Sequence, residues 1–169
     1  MGTDTSTSAP RRRGFFDATI CLERDYPHAP EKVWRALTEP RLVSAWLMKT
    51  VDVAPVVGTK FRLTGTPQPG WRGWVECEVL AVEPQRLFRY SWSGQEGQVM
   101  EVTWTLDAIP TGTRLTLRHE GFEGVGGFLL AKLMMGPGWK KMMSGTLASV
   151  LSRVGDDGAF RADPTIDRS

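Results

Sequence analysis

Three consecutive stretches in the middle of the chain alternate apolar and polar residues at a period of two, and this pattern restricts the fold more than any other feature. Residues 86–93 alternate through Arg86, Phe88, Tyr90 and Trp92. Residues 99–108 set Met100, Val102, Trp104 and Leu106 against Glu101, Thr103, Thr105 and Asp107. Residues 114–120 set Leu115, Leu117 and His119 against Arg114, Thr116, Arg118 and Glu120. Successive side chains of a strand point to opposite faces, so this alternation predicts an antiparallel sheet with one dry and one wet face. The connections are short, one of them a turn at Gly112, as a meander requires.

The flanking segments complete the architecture. Residues 15–26 read as a first strand with Phe16, Ala18, Ile20 and Leu22 on one face, and Pro27 and Pro30 break it. Pro30 suits the first turn of a helix, Glu31 sits near its positive end, and Val33, Trp34 and Leu37 form its apolar stripe. Thr38 and Pro40 end that helix and start another, striped by Leu42, Val43, Trp46 and Leu47. Two such short helices cannot bury their own faces and must cover an edge or end of the sheet. Residues 51–53, 59–64 and 71–83 add further strands, with a Pro/Gly turn at residues 65–70. Trp139, Met142, Met143, Leu147, Val150, Leu151 and Val154 recur at helical spacing, with Pro137 and Gly138 marking the start of that helix. Between them, residues 128–135 read as a short helix of their own. The predicted fold is α+β: a curved antiparallel sheet of six or seven strands wrapped around a long C-terminal helix, with two short helices after the first strand.

A chain of 169 residues with 41% hydrophobic content suits one domain, placed at residues 15–154. Residues 1–14 and 155–169 are polar, without apolar periodicity, and are expected to be disordered tails. The formal net charge is only +2 and its basic residues are scattered, which excludes the clustered basic face of a nucleic-acid binder. The run Arg11-Arg12-Arg13 reads as a solvated leader. Cys21 and Cys77 lie in strand-like stretches without metal spacing and are expected to be reduced core residues. No apolar leader and no long apolar run occur, so no membrane association and a cytoplasmic location are expected.

The order of elements and several strings carry a family resemblance. PEKVWRALTEPRLVSAWL at residues 30–47 resembles the helix pair of the Hsp90-ATPase-activator-homologue proteins (Aha1 C-terminal-like), within the START-like, helix-grip superfamily. VGTKFRL at 57–63, VECEVLAVEPQRLFRYSW at 75–92 and VTWTLDAIPTGTRLTLRHEGF at 102–122 resemble its successive strands. GWKKMMSGTLASVL at 138–151 resembles the opening of its last helix. The resemblance implies a helix-grip fold with a ligand cavity between sheet and helix. One departure is the segment 124–136, longer and more apolar than the usual link, which the resemblance would place at the cavity entrance.

A binding cavity needs apolar walls and a few orienting polar groups. The wall candidates are Trp46, Phe61, Trp74, Phe88, Tyr90, Trp92, Met100, Trp104, Leu117, Phe122, Trp139, Met142 and Met143. Each alone is explained by ordinary core packing; together, with seven Trp and seven Met in the chain, they fit a surface that adapts to a ligand. Phe128, Leu129, Leu133 and Met134 are the lid or entrance. His119 can orient a carbonyl or hydroxyl, act as a base, or be a core histidine satisfied by a neighbour; Tyr90 is the other polar candidate on the inner face. No phosphate-cradling loop, GxSxG or HExxH occurs and there are only two histidines, so neither metal nor cofactor is expected. The first expectation for function is binding of a hydrophobic small molecule, a lipid, aromatic or polyketide-like metabolite, for transport, sequestration or self-resistance. The alternatives are a cyclase or aromatase-type enzyme, as the superfamily includes, with His119 and Tyr90 as acid/base residues, and a protein-interaction module. That module would act as chaperone co-regulator or homodimer through the apolar 128–135 segment.

Overall fold

A computed structural model of the chain describes residues 14–95, 98–155 and 159. The tails expected at 1–14 and 155–169 therefore fall almost wholly outside the described residues. Strand β1 (Ala18–Tyr26) is followed by helices α1 (Pro30–Thr38) and α2 (Pro40–Trp46). Strands β2 (Lys60–Thr64), β3 (Trp74–Glu83), β4 (Leu87–Gln95), β5 (Gln98–Ile109) and β6 (Gly112–Phe122) come next. The six strands form one antiparallel sheet in the order β1-β6-β5-β4-β3-β2. Because β1 and β2 are the two edges, α1 and α2 must carry the chain from one edge to the other.

Local sequence explains that crossing. Pro30 and Pro40 each occupy the first turn of their helix, where a missing N–H costs nothing. Glu39, directly before Pro40, is forced into extended backbone (φ −86°, ψ 124°) and separates the two helices. The Thr38 hydroxyl donates to the Trp34 carbonyl at 2.8 Å, so the first helix ends with its polar group satisfied. Val33, Trp34, Ala36 and Leu37 of α1 and Leu42, Val43 and Trp46 of α2 are buried, as their stripes predict.

The alternation of β4, β5 and β6 is realised in register. Val79, Tyr90, Val102, His119 and Ile20 lie directly opposite one another across the sheet and form one inward-facing row. On the wet face Arg89 pairs with Glu101, Arg118 with Glu120, and Arg114 with Asp25. Pairs this exposed add little stability and mainly keep that face solvated.

Four local expectations are corrected. β1 begins at Ala18, and Phe15 is 96% exposed in a turn closed by Asp17 N–H on the Gly14 carbonyl. Residues 51–53 are not a strand; Lys49 bridges to Thr64 instead, so the sheet has six strands rather than seven. Cys21 is exposed, because it points away from the face that Ile20 buries, whereas Cys77 is buried.

The last correction concerns the C-terminal helix. It begins at α3 (Gly124–Leu130), continues through a π-helical turn (Ala131–Met135) into α4 (Gly136–Ser144), and ends with α5 (Thr146–Arg153). Pro137 lies inside this run rather than at its start. Proline has no N–H to give and crowds the carbonyl four residues back, and the wider π turn accommodates it. The Gly136 N–H accordingly reaches five residues back to Ala131. Among the described residues no helix is long and apolar enough to cross a membrane.

Two hydrogen bonds seat this helix, one on the sheet and one on α2. The Tyr26 hydroxyl donates to the Met143 carbonyl at 2.6 Å, and the Thr146 hydroxyl donates to the Trp46 carbonyl at 2.8 Å. The Tyr26 backbone lies against Gly112, where the chain turns with φ +143°. A Cβ there would lie 2.1 Å from the Tyr26 carbonyl oxygen. Gly112→Ala is expected to cost about 3 kcal/mol, combining backbone strain with a displaced β1–β6 pairing. Urea unfolding measures it, and a loss within experimental error would show that this turn tolerates a side chain.

Candidate functional site

The inward row meets the C-terminal helix in a continuous aromatic cluster. Trp46 of α2, Phe61 of β2, Phe88, Tyr90 and Trp92 of β4, and Met100 and Trp104 of β5 are all buried. So are Leu117, His119 and Phe122 of β6 and Trp139 and Met143 of α4, while Met142 is half-buried. Ring centroids step from Trp46 to Trp104 (5.8 Å), Trp104 to Trp139 (5.6 Å), Trp139 to Trp92 (5.6 Å), Trp92 to His119 (5.3 Å) and His119 to Phe122 (4.7 Å). A second group, Phe61, Tyr90, Phe88 and Trp34, joins the first through the Trp104 N–H, which donates to the Tyr90 hydroxyl at 3.1 Å.

Trp74, expected among these walls, is on the other side of the sheet. It shares the wet face of β3 with Glu76, and the guanidinium groups of Arg72 and Arg62 cover its ring at 3.3 and 4.1 Å. Cation–π contact, not burial, accommodates it there. Conversely Trp34 and Tyr26 belong to the inner cluster without having been singled out; Tyr26 shares the alternation of Ile20 and Leu22, which is the signal that reveals it.

The inner residues are packed against one another. The space between Trp46, Phe61, Phe88, Tyr90 and Trp104 is about 10 Å³, roughly the room for one water molecule. A wider depression of about 690 Å³ opens on the wet face of β2–β4, lined by Lys60, Arg62, Glu76, Glu78, Ser91 and Ser93, whose charge does not suit an apolar molecule.

Buried polar groups define what chemistry the interior offers. Among the described residues they are Thr38, Thr50, Thr113 and His119. The Thr113 hydroxyl donates to the His28 carbonyl, whereas Thr50 Oγ1 and His119 Nε2 have no partner. Trp139 Nε1–H donates to His119 Nδ1 at 3.0 Å. Burial pushes the His119 pKa from its ordinary 6.5 down to about 3, so the ring is neutral. With Nδ1 accepting, the single ring proton sits on Nε2. An unsatisfied buried donor of this kind costs about 1–3 kcal/mol. The ring has no lone pair left to take a proton, but it has an N–H to give. Tyr90 is similar: burial raises its pKa, its oxygen accepts from Trp104, and among the described residues nothing accepts its proton.

The segment expected as lid closes the end of β6 with inverted polarity. Only Gly127 and Ala131 of α3 and the π turn are buried. Val125, Leu129, Leu133 and Met134 are 53%, 48%, 70% and 65% exposed. Phe128 is half-buried with the Lys132 ammonium 5.9 Å from its ring centroid. Gly127 permits this close approach, since a Cβ there would lie 2.9 Å from the Phe122 carbonyl carbon.

The family model described as Activator of Hsp90 ATPase homolog 1-like protein matches residues 27–152. Among solved structures, a Mesorhizobium loti protein is 36% identical, with a TM-score of 0.69, over 82% of this chain and 99% of that one. DynU16, from the dynemicin biosynthetic locus, is 27% identical, with a TM-score of 0.66, over 79% of this chain and 47% of its own. The Aha1 dimer from Colwellia psychrerythraea shares the fold at 18% identity, with a TM-score of 0.64, over 79% of this chain and 96% of its own. Among curated proteins none matches.

His119 makes stability depend on pH in one direction. Its folded pKa of about 3 lies below the 6.5 of the unfolded chain, so the unfolded state binds more protons between these values. Its contribution is complete above pH 6.5 and is lost as pH falls towards 3. His119→Gln keeps an acceptor for Trp139 but cannot protonate. The unfolding free energy of the wild type, measured against that of this variant, is expected to fall by about 1.4 kcal/mol per pH unit below pH 6. Parallel pH profiles from urea titrations would show that His119 is not buried in its neutral form.

Proposed function

The chain belongs to the Activator of Hsp90 ATPase homolog 1-like family, and from its helix-grip architecture we propose that it binds a hydrophobic small molecule between the sheet and the C-terminal helix. The observation that carries this reading is the inverted polarity of the 124–135 segment. The segment fully buries only Gly127 and Ala131, half-buries Phe128, Leu130 and Met135, and leaves Val125, Leu129, Leu133 and Met134 on its outer face, so much of its apolar surface gains nothing from its present seat. Burying a leucine-sized side chain is worth about 1.5–3 kcal/mol, so this segment reaches a better arrangement when something apolar lies beneath or beside it. The neighbouring helix already departs from α geometry at the π turn, where such a segment can pivot without disturbing α5. Displacing it opens the Phe122 end of the aromatic cluster, against whose backbone Gly127 packs.

The ligand fits the class of lipids, aromatic or polyketide-like metabolites, bound for transport, sequestration or self-resistance. The likeness to DynU16 of the dynemicin biosynthetic locus supports a biosynthetic product as ligand. A second reading, homodimerisation through the same outer face, is favoured by the contiguous exposure of Leu129, Leu133 and Met134, and the Colwellia protein is itself a dimer.

Fluorene, a neutral tricyclic hydrocarbon, tests the first reading. It is expected to bind the full chain with micromolar affinity and to slow amide exchange in residues 124–135. Gly127→Ala, which pushes a methyl group against the Phe122 backbone, is expected to speed fluorene association and raise exchange in the same residues at a cost of about 1 kcal/mol in global stability. Failure of both fluorene and its ketone, fluorenone, to bind overturns the reading. A dimer by light scattering, with 124–135 protected only when dimeric, selects the second.

A further inference from the structure

Within the aromatic cluster the histidine ring is held in a specific way. Trp139 occupies Nδ1, which fixes the tautomer, and the other ring nitrogen points to the opposite side of the ring with its proton unclaimed. The rings of Phe122 and Trp92, at 4.7 and 5.3 Å, pack against the imidazole but offer no lone pair. We propose that His119 Nε2–H is the recognition point of the binding site, donating to the carbonyl or ether oxygen of an uncharged ring compound lodged among Trp92, Phe122 and Trp139. This rests on the ligand-binding reading above and specifies the class of molecule bound.

Three observations narrow that class. First, the inner wall presents donors. Tyr90 stands in the same cross-strand row as His119, two strands away, or about 10 Å, and its hydroxyl proton is also without an acceptor among the described residues. Second, among the described residues no lysine or arginine is buried, so no buried cation there neutralises a carboxylate or phosphate, and a charged ligand is disfavoured. The neutral imidazole agrees with this, since it cannot itself supply the countercharge. Third, the walls are flat rings meeting at tilted and edge-on angles, which suits a planar guest. Thr50 Oγ1, the other orphan, belongs to the turn after α2 that Ser44 holds by its hydroxyl, and takes no part.

The test compares fluorenone with fluorene, which have the same ring skeleton and differ in one carbonyl oxygen. The wild-type chain is expected to bind fluorenone about tenfold more tightly, the worth of one buried hydrogen bond. Binding should move the Nε2 resonance of His119 in ¹⁵N spectra, a change that a purely structural histidine does not show. Removing His119 alone would leave the Trp139 N–H as a substitute donor, so the informative variant is His119→Phe with Trp139→Phe, in which fluorene still binds and the preference for fluorenone disappears. His119→Gln, which retains a donor and the bond from Trp139, is expected to keep part of the preference and serves if the double variant does not fold. Equal binding of the two compounds by the wild type, or a preference that survives the double substitution, overturns the subsite and leaves the ligand-binding reading standing. Binding of neither overturns both.

Discussion

The hydrogen bond from Trp139 to His119 joins the C-terminal helix to the middle of the sheet, and the interior is organised around it. Both partners are fully buried, so neither has water as an alternative, and the bond is worth more there than on the surface. It holds the Trp139 ring where it touches both Trp104 and Trp92, and through these rings the helix is registered against β4 and β5. Tyr26 and Thr146 secure the rest of the helix to β1 and α2. These three contacts all lie at or beyond residue 139. Among the described residues none of 124–135 makes such a side-chain hydrogen bond to the sheet, and the segment is held by the packing of Gly127, Leu130, Ala131 and Met135.

That division connects packing to function. The space among Trp46, Phe61, Phe88, Tyr90 and Trp104, about 10 Å³, admits no guest as it stands, so the proposed binding requires movement of an element that costs little to move. The segment at the end of β6 suits that requirement, because it fully buries only a glycine and an alanine and exposes Val125, Leu129, Leu133 and Met134. The same outward face suits a second copy of the chain. On the two proposed readings, small-molecule binding and self-association would compete for one apolar surface.

His119 and Tyr90 show how polarity is rationed inside such a core. Each is engaged through its acceptor atom by a tryptophan N–H, and each retains a donor. Both remain able to donate to an acceptor. An interior that presents donors without cations discriminates by the neutrality of its guest.

Most of the sheet was legible because alternation at a period of two translates directly into facing, and β4, β5 and β6 came out with the inner residues the pattern names. The helix pair was legible from two prolines and their apolar stripes. Where residues are short of such periodicity, local reading failed. Trp74 was assigned inward on its apolar character, yet the phase of β3 and two arginines place it outward. Pro137 read as a helix start because a π turn leaves no sequence signature. The amino-acid sequence by itself determined the strands, their faces and the ring-rich composition of the core, since these follow from side-chain period and hydrophobicity. Only the tertiary structure decided that the inner rings pack against one another, that Trp139 claims His119 Nδ1 and leaves Nε2 unpaired, and that Leu129, Leu133 and Met134 face outward. Those outcomes depend on how distant elements meet, and no local pattern encodes the distance between residues 119 and 139.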